Sequence, residues 1–179
     1  MRSEYSPSEI FRFCPKCGSR SFSPDTEKSL KCRSCGFRYF INMSASVAAV
    51  IRNQNNEVLF TVRKQNPAAG MLDLPGGFVD LGETAEKAII REIKEELNLD
   101  ITRMEFAGTF TNKYIYGEIE YQTLDLVFNC NIDSFTDIQV ADDVSGYIFR
   151  DLETVIAEEI GLESIWKVVT HLKEKTVSK

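Results

Sequence analysis

The fold of this 179-residue chain is decided by residues 75–99, PGGFVDLGETAEKAIIREIKEELNL. From Thr84 onward, isoleucine and leucine recur at the spacing of an amphipathic helix. At about 100° per residue, Glu92, Glu95 and Glu96 lie on one arc of that helix. Like charges at this spacing repel one another, and divalent cations with oxygen ligands would relieve the repulsion. The stretch therefore predicts either a metal-binding face or a solvated acidic face.

A Pro-Gly-Gly loop precedes this helix. Gly76 and Gly77 allow the backbone to turn sharply and to aim carbonyl or amide groups at a ligand. Glu83 follows six residues after Gly77, at the entrance of the helix, and Thr84 has the side chain of an N-cap. A flexible turn that leads into an acidic helix favours the metal-binding interpretation over the solvated one.

The rest of the chain mixes strand and helix patterns. The runs SVAAVIR and EVLFTVR predict two strands joined by a polar turn, and further strands are expected near residues 105–111, 121–131 and 144–149. Helical patterns cover residues 84–97, 152–158 and 162–173. Because there is no regular alternation of strand and helix, these patterns indicate an α+β fold or a three-layer α/β/α sandwich.

In this register the residues resemble the Nudix signature, which is Gly, five residues, Glu, seven residues, then Arg-Glu-U-x-Glu-Glu-x-Gly-U, where U is bulky and aliphatic. The matching residues are Gly77, Glu83, Arg91, Glu92, Ile93, Glu95, Glu96 and Leu99. The signature's last glycine is Asn98 here, and asparagine is the usual second choice for the left-handed residue that ends a helix. The six matched Gly, Glu and Arg positions would coincide by chance about once in ten million registers.

The resemblance implies a fold and an activity. The implied fold class is α+β, with a Nudix α/β/α sandwich of mixed sheets that follows a small zinc ribbon. Members of the family hydrolyse a nucleoside diphosphate linked to another group, and they cut the pyrophosphate with Mg²⁺ or Mn²⁺. By position, Glu92, Glu95 and Glu96 would bind the catalytic metal together with the carbonyl of Gly76. Arg91 would hold the glutamates in place through an ion pair.

The general base is less sharply defined. A metal-bound water has a lowered pKa, and a carboxylate would accept its proton. The candidates are Glu96 on the helix and Asp142 or Asp143 on the later loop QVADDVSG. We expect Asp143 to be a catalytic residue beside the helix glutamates. His171, the single histidine, lies in a C-terminal helical pattern and is a poor candidate.

Four cysteines near the beginning of the chain predict a zinc site. The spacing is Cys14-Pro-Lys-Cys17, fourteen intervening residues that begin with Gly18, then Cys32-Arg-Ser-Cys35-Gly. Two Cys-x-x-Cys pairs at this separation are typical of tetrathiolate zinc. Four thiolates leave no open position for water, so we expect the Zn²⁺ to be structural. The fifth cysteine, Cys130, lies in an apolar run and is expected to be buried.

The charge distribution supports a division into two domains. Residues 1–43 contain eight Lys/Arg and four Asp/Glu, whereas residues 44–179 contain thirteen Lys/Arg and twenty-three Asp/Glu. The net charge of the whole chain is −6. We therefore predict a zinc ribbon at 1–43 and a Nudix hydrolase domain at 44–179. The basic ribbon leaves nucleic-acid binding open as a second role, although bound zinc with four thiolates reduces its positive charge.

The substrate is the least determined feature. Phe110, Asn112 and Tyr114 combine aromatic and polar groups that could stack on a purine and bind its edge, or they could be ordinary strand residues. ADP-ribose or a similar dinucleotide is the leading candidate, on resemblance alone. NADH and NAD-capped or capped RNA are alternatives, and the chain lacks the Ser-Gln-Pro-Trp-Pro-Phe-Pro stretch of NADH pyrophosphatases. A non-catalytic nucleotide or nucleic-acid binding module is the alternative of another class.

Composition excludes several classes of protein. Hydrophobic residues make up 43% of the chain, which is enough for a core, and no apolar run approaches 18 residues. The first residues lack the apolar stretch of a secretory signal, so we expect a cytoplasmic protein without a membrane partner. A small nucleotide is the expected partner. Many members of the family dimerise, so a homodimer is compatible with the resemblance, but no residue pattern determines it.

Overall fold

The computed structural model describes residues 4–141 and 143–177. Its strands are β1 (Phe22–Thr26), β2 (Ser29–Cys32), β3 (Arg38–Phe40), β4 (Ser44–Ile51), β5 (Val58–Arg63), β6 (Leu72–Asp73), β7 (Ile101–Tyr116), β8 (Ile119–Ile132) and β9 (Val144–Arg150). Its α-helices are α1 (Pro7–Ile10), α2 (Ala85–Leu97) and α3 (Glu163–Val177), and two short 3₁₀ segments lie at Leu152–Thr154 and Ala157–Glu159. None of the helices in the described ranges is long and apolar enough to cross a membrane.

The chain divides into two compact units. The first comprises Met1–Met43 together with Lys113–Gln122, which is the tip of the hairpin formed by β7 and β8. The second comprises Ser44–Asn112 and Thr123–Lys179. The division into domains at 1–43 and 44–179 stays a prediction.

The first unit contains a three-stranded antiparallel sheet in the order β1-β2-β3. Its small core consists of the buried side chains of Phe22 and Leu30 and of two of the cysteines, Cys14 and Cys32. So few apolar side chains rarely stabilise a fold alone, and a metal crosslink is the usual remedy in a unit of this size.

The second unit contains two three-stranded sheets. One has the order β4-β8-β7, in which β4 and β8 are parallel, and the other has the order β6-β5-β9 with antiparallel pairs. A crossover is needed to bring β4 and β8 together in parallel, because a tight turn can join only antiparallel strands. α2 lies within this long connection, so the sheet topology places the acidic helix against β4.

Strand β4 separates two apolar cores. Val47, Ala49 and Ile51 pack in a core with buried residues of α2, whereas Ala48 and Val50 pack in a core with buried residues of α3. Successive side chains of a strand point to opposite faces, so a continuous apolar run such as VAAVI is buried on both sides. The result is the α/β/α layering with mixed sheets that the sequence predicts.

The glycine loop runs beside β4, where another strand would pair. The amide of Val47 donates to the carbonyl of Gly77 at 2.8 Å, and the amide of Ala49 donates to the carbonyl of Pro75 at 2.9 Å. Backbone pairing therefore holds the loop at one edge of the sheet, alongside the middle of β4.

Candidate active site

Helix α2 begins and ends where its sequence predicts. The side chain of Thr84 accepts a hydrogen bond from the amide of Lys87 at 3.4 Å, which satisfies one of the free donors of the first turn. At the other end, Asn98 adopts the left-handed conformation, with φ 54° and ψ 31°, and its amide donates to the carbonyl of Lys94. Both caps were predicted from sequence, and they define the length of the acidic face.

The two glycines of the loop are required by close packing. A Cβ atom on Gly76 would lie 2.1 Å from the carbonyl oxygen of Val47, and the φ angle of Gly76 is 145°. A Cβ atom on Gly77 would lie 2.5 Å from a carboxylate oxygen of Glu92. The loop therefore lies directly against both β4 and the first glutamate of the acidic face.

Arg91 connects most of the acidic side chains. Its guanidinium donates to both carboxylate oxygens of Glu83, at 3.1 and 2.9 Å, and to the Phe78 carbonyl at 3.1 Å. It also donates to Glu92 at 2.8 Å and to Glu95 at 3.0 Å. The hydrogen bonds that Arg91 donates to Glu83 and Glu92 raise the pKa of Arg91, and its guanidinium in turn lowers the pKa of Glu83. The forked geometry of arginine allows one residue to orient three carboxylates.

Glu96 has a different environment. It is buried, with 6% of its surface exposed, and its Oε2 accepts a hydrogen bond from the amide of Gly76 at 2.9 Å. Glu95, by contrast, has a side chain that is 49% exposed. The helix thus presents one carboxylate tied to the glycine loop and one open to solvent.

The donor set of this face fits a hard divalent cation. Glu92, Glu95 and Glu96 offer only oxygen atoms, which is the chemistry that Mg²⁺ and Mn²⁺ prefer. Their carboxylates point partly to Arg91 and partly to Gly76. Among the residues that the structure describes, the only group of three or more candidate ligands with all ligand atoms within 4.8 Å is the cysteine cluster. A cation held by all three glutamates would therefore require their carboxylates to move closer together.

The four cysteines already have the geometry of a zinc site. The sulfur atoms of Cys14 and Cys35 lie 3.7 Å apart, and so do those of Cys17 and Cys32. A tetrahedral site with Zn–S bonds of about 2.3 Å has sulfur–sulfur edges of about 3.8 Å, whereas a disulfide bond is about 2.05 Å long. The cysteines are free thiols, and the spacing of their sulfurs matches that tetrahedron.

The predicted base on the later loop lies near the end of α2. The amide of Ala141 donates to the carbonyl of Glu96 at 3.0 Å, which ties this loop to the helix. Asp143 is exposed, and its carboxylate accepts a hydrogen bond from Gln65 at 2.8 Å. Asp142 lies outside the described residues. Asp143 thus lies two residues after Ala141, whose amide is bound to Glu96, and its own side-chain partner is Gln65.

The three predicted substrate-binding residues have separate surroundings. Phe110 contacts His171 edge to face, with ring centroids 5.7 Å apart. Asn112 is buried, with 4% of its surface exposed. Tyr114 stacks on Tyr121 in the first unit, with centroids 5.9 Å apart. Phe110 and Tyr114 each have a ring partner, whereas the buried side-chain oxygen of Asn112 has no hydrogen-bond partner.

A buried polar group near the glycine loop was not predicted from sequence. Asp73 precedes the loop and pairs with Arg63, and its carboxylate also accepts a hydrogen bond from the amide of Leu74 at 2.8 Å. Burial raises the pKa of Asp73 to about 6, against the opposing effect of Arg63, and the charge of Asp125 raises it further. The signal available in the sequence was an aspartate between two leucines inside an apolar strand pattern. It occurs at Leu72-Asp73-Leu74 and again at Leu124-Asp125-Leu126.

Asp125 lies on β8 and is also buried. Its Oδ1 accepts hydrogen bonds from the hydroxyl of Ser46 at 2.5 Å and from the hydroxyl of Thr123 at 2.6 Å. Two hydroxyl donors compensate part of the cost of removing a carboxylate from water. The second unit therefore contains a polar region within a sheet face that is otherwise apolar.

Comparison with solved structures identifies the fold. The chain is similar to a NUDIX hydrolase from Nitrosomonas europaea, with a TM-score of 0.68, 21% identity and coverage of 94% of both chains. It is also similar to the NUDIX domain of Shewanella oneidensis NrtR complexed with ADP ribose, with a TM-score of 0.62, 20% identity and coverage of 76% and 90%. The predicted fold class, a Nudix sandwich with mixed sheets, is confirmed.

Sequence comparison gives matches to curated relatives. The chain is 29% identical over 120 residues to an NAD-capped RNA hydrolase NudC of Pseudomonas aeruginosa, covering 60% of this chain and 42% of that protein. It is 30% identical over 112 residues to the NudC of Haemophilus influenzae, covering 59% and 42%. The chain thus spans less than half of the length of these relatives. The NUDIX domain model matches residues 43–172, and the chain therefore belongs to the NUDIX domain family.

Proposed function

We propose that this protein hydrolyses the pyrophosphate bond of a nucleoside diphosphate linked to another group, with ADP-ribose or a similar dinucleotide as substrate. The observation that supports this most strongly is the arrangement of the glutamates of α2 around Arg91 and the glycine loop. A diphosphate is anionic, and an acidic face accepts it only when cations intervene. Membership of the family agrees, because Nudix enzymes generally use divalent metals.

In this proposal Glu92, Glu95, Glu96 and the carbonyl of Gly76 hold Mg²⁺ or Mn²⁺. Such ions supply charge neutralisation at the phosphoryl oxygens and lower the pKa of a bound water. Arg91 orients the carboxylates, and its many partners allow it to release one while keeping the others. Glu96 or Asp143 accepts the proton of the attacking water.

The choice of substrate rests on relatives. Curated relatives are NAD-capped RNA hydrolases, and a structural neighbour was solved with ADP ribose. Both ligands contain adenosine diphosphate, so ADP-ribose or a similar dinucleotide remains the leading candidate and NAD-capped RNA the alternative. The zinc ribbon has a structural role in this proposal, with Zn²⁺ held by its four cysteines. Cysteines that are not joined in disulfide bonds suit the reducing cytoplasm, which supports the predicted location there. A homodimer stays a prediction.

The proposal is tested by turnover on a substrate panel with Mg²⁺ or Mn²⁺. The panel contains ADP-ribose, NADH, NAD-capped RNA, diadenosine polyphosphates and nucleoside triphosphates, and the products are resolved by chromatography. We expect ADP-ribose to give AMP and ribose phosphate. Glu95→Gln and Glu96→Gln should each reduce turnover by about a hundredfold or more, because each removes a charged metal ligand.

The control variant is Glu105→Gln, which removes one carboxylate from an exposed position on β7. Its turnover should equal that of the wild type. Glutamine at residue 96 can still accept the hydrogen bond from Gly76, so the thermal midpoint of Glu96→Gln should stay close to that of the parent. Full turnover in both glutamine variants would refute the metal-site assignment. Tight nucleotide binding without turnover on any substrate would support the non-catalytic binding module instead.

A further inference from the structure

A band of polar side chains crosses one face of the β4-β8-β7 sheet. β7 ends at Tyr116 and β8 begins at Ile119, so the two-residue turn places Asn112 opposite Thr123. In the parallel pair of β4 and β8, Ser46 lies opposite Asp125. Side chains alternate along each strand, so Asn112, Thr123, Asp125 and Ser46 share one face.

This face is the one that packs against α3. The next residues along the same face, Ala48 on β4 and Val127 on β8, belong to the core that includes buried residues of α3. Buried polar groups are therefore concentrated at one end of a face that is apolar and buried at Ala48, Val50 and Val127. Burial of several polar side chains together needs compensation by hydrogen bonds or by a bound ligand.

Asp125 has that compensation and Asn112 does not. The hydroxyls of Ser46 and Thr123 both donate to Asp125. The side-chain oxygen of Asn112 is buried and has no hydrogen-bond partner. A second buried oxygen without a partner is the hydroxyl of Ser164 on α3. Lys167 on α3 donates to the carbonyl of Thr111, which ties this helix to the strand residue beside Asn112.

The band leads to the glycine loop. Ser46 forms an isolated antiparallel bridge with Phe78, and the next residue of β4, Val47, donates to the carbonyl of Gly77. A ligand whose phosphates lie at the loop can therefore extend over β4 and β8 toward Asn112. Neighbouring strands lie about 4.8 Å apart, so a ligand that reaches from the glycine loop beside β4 to Asn112 on β7 crosses two strand spacings.

We propose that this polar band is the nucleobase subsite, and that the carboxamide of Asn112 selects adenine by accepting a hydrogen bond from its N6 amine and donating to N7. A carboxamide matches that edge of adenine with two hydrogen bonds. This subsite assignment depends on the proposed function in one respect, which is that the ligand is a nucleotide. Hypoxanthine has a carbonyl oxygen in place of the amine, so it would face the oxygen of Asn112 with a second acceptor.

The test compares binding of AMP and IMP by isothermal titration calorimetry. Neither has a pyrophosphate bond, so the result does not depend on hydrolysis or on the helix glutamates. We expect the wild-type protein to bind AMP about tenfold more tightly than IMP. Asn112→Leu should bind AMP no more tightly than IMP. Asn129→Leu changes the same residue type at an exposed position farther along β8 and should keep the preference.

Several results would overturn the proposal. They are equal affinities of the wild-type protein for AMP and IMP, an undiminished preference in Asn112→Leu, and no binding of AMP at millimolar concentration. If Asn112→Leu fails to fold, Asn112→Asp replaces it, because a carboxylate keeps the size of the side chain but cannot donate to N7. That variant should lose most of the preference for AMP. A clear preference for AMP in a protein that cleaves no substrate would refute the proposed function and leave the subsite in place.

Discussion

At the scale of single residues, one charged group organises several others. Arg91 donates to Glu83, Glu92 and Glu95, and these carboxylates would repel one another without it. Its position was evident from the signature, since arginine stands directly before the first helix glutamate. The partners of Asp73 were not evident, because Arg63 lies on another strand and its contact depends on the pairing of β5 with β6.

Asp73 should produce a measurable pH dependence of stability. Its pKa is raised from 3.8 to about 6, chiefly by burial, so the folded protein binds its proton more tightly than the unfolded chain does. The stabilisation from this proton is fully present below about pH 4 and is lost as the pH rises through about 6. Relative to Asp73→Asn, the wild-type free energy of unfolding should fall by on the order of 2 kcal/mol from pH 4 to pH 7.

Urea unfolding of the two proteins at a series of pH values measures this difference. Asp100→Asn is the matched control, since the side chain of Asp100 is 83% exposed and loses no burial on unfolding. Its difference from the wild type should stay nearly constant over the same range. A constant difference for Asp73→Asn as well would show that the ion pair with Arg63 offsets the effect of burial on the pKa of Asp73.

At the scale of elements, local patterns predicted the helices better than the short segments. Residues 84–97 were predicted as a helix, and α2 is observed at Ala85–Leu97. Residues 152–158 were also predicted as helical, but the structure has two 3₁₀ segments there, separated by the extended residues Val155 and Ile156. Val155 is buried in the core, and packing of its side chain outweighs the helical propensity of so short a segment.

The end of α2 allows a direct test of the Asn98 position. A left-handed conformation costs most residues roughly 1–2 kcal/mol, and asparagine and glycine tolerate it better. Asn98→Ala should therefore lower the free energy of unfolding by about 1 kcal/mol. Asn98→Gly should lower it much less, although it removes the hydrogen bond from the side chain to the carbonyl of Asp137. Equal losses in the two variants would attribute the effect to that hydrogen bond instead.

At the scale of the whole molecule, the two units are stabilised in different ways. The second unit has two extensive apolar cores, whereas the described residues of the first form a core of four buried hydrophobic side chains, two of which are the cysteines Cys14 and Cys32. We therefore expect the first unit to depend on a metal crosslink, and the spacing of its sulfur atoms fits zinc.

Zinc content and its loss can be measured on the full chain. We expect about one tightly bound zinc per chain by elemental analysis, from the single four-cysteine cluster of the described residues. Cys14→Ser should lower the zinc content and make residues 1–43 sensitive to protease. Cys130→Ser is the control, because Cys130 is buried on β8 and is no part of the cluster, so it should retain the metal. A wild-type protein without zinc would defeat the assignment.

The sequence by itself determined the family, the acidic helix with both of its caps, and the cluster of four cysteines, because each depends on spacing within a short segment. Helical periodicity places Glu92, Glu95 and Glu96 on one arc whatever surrounds them. Only the tertiary structure decided which glutamate is buried against Gly76, and it brought Asn112 and Asp125 from β7 and β8 to one sheet face. Those relations depend on strand register and packing between distant segments, which residue spacing along the chain does not contain.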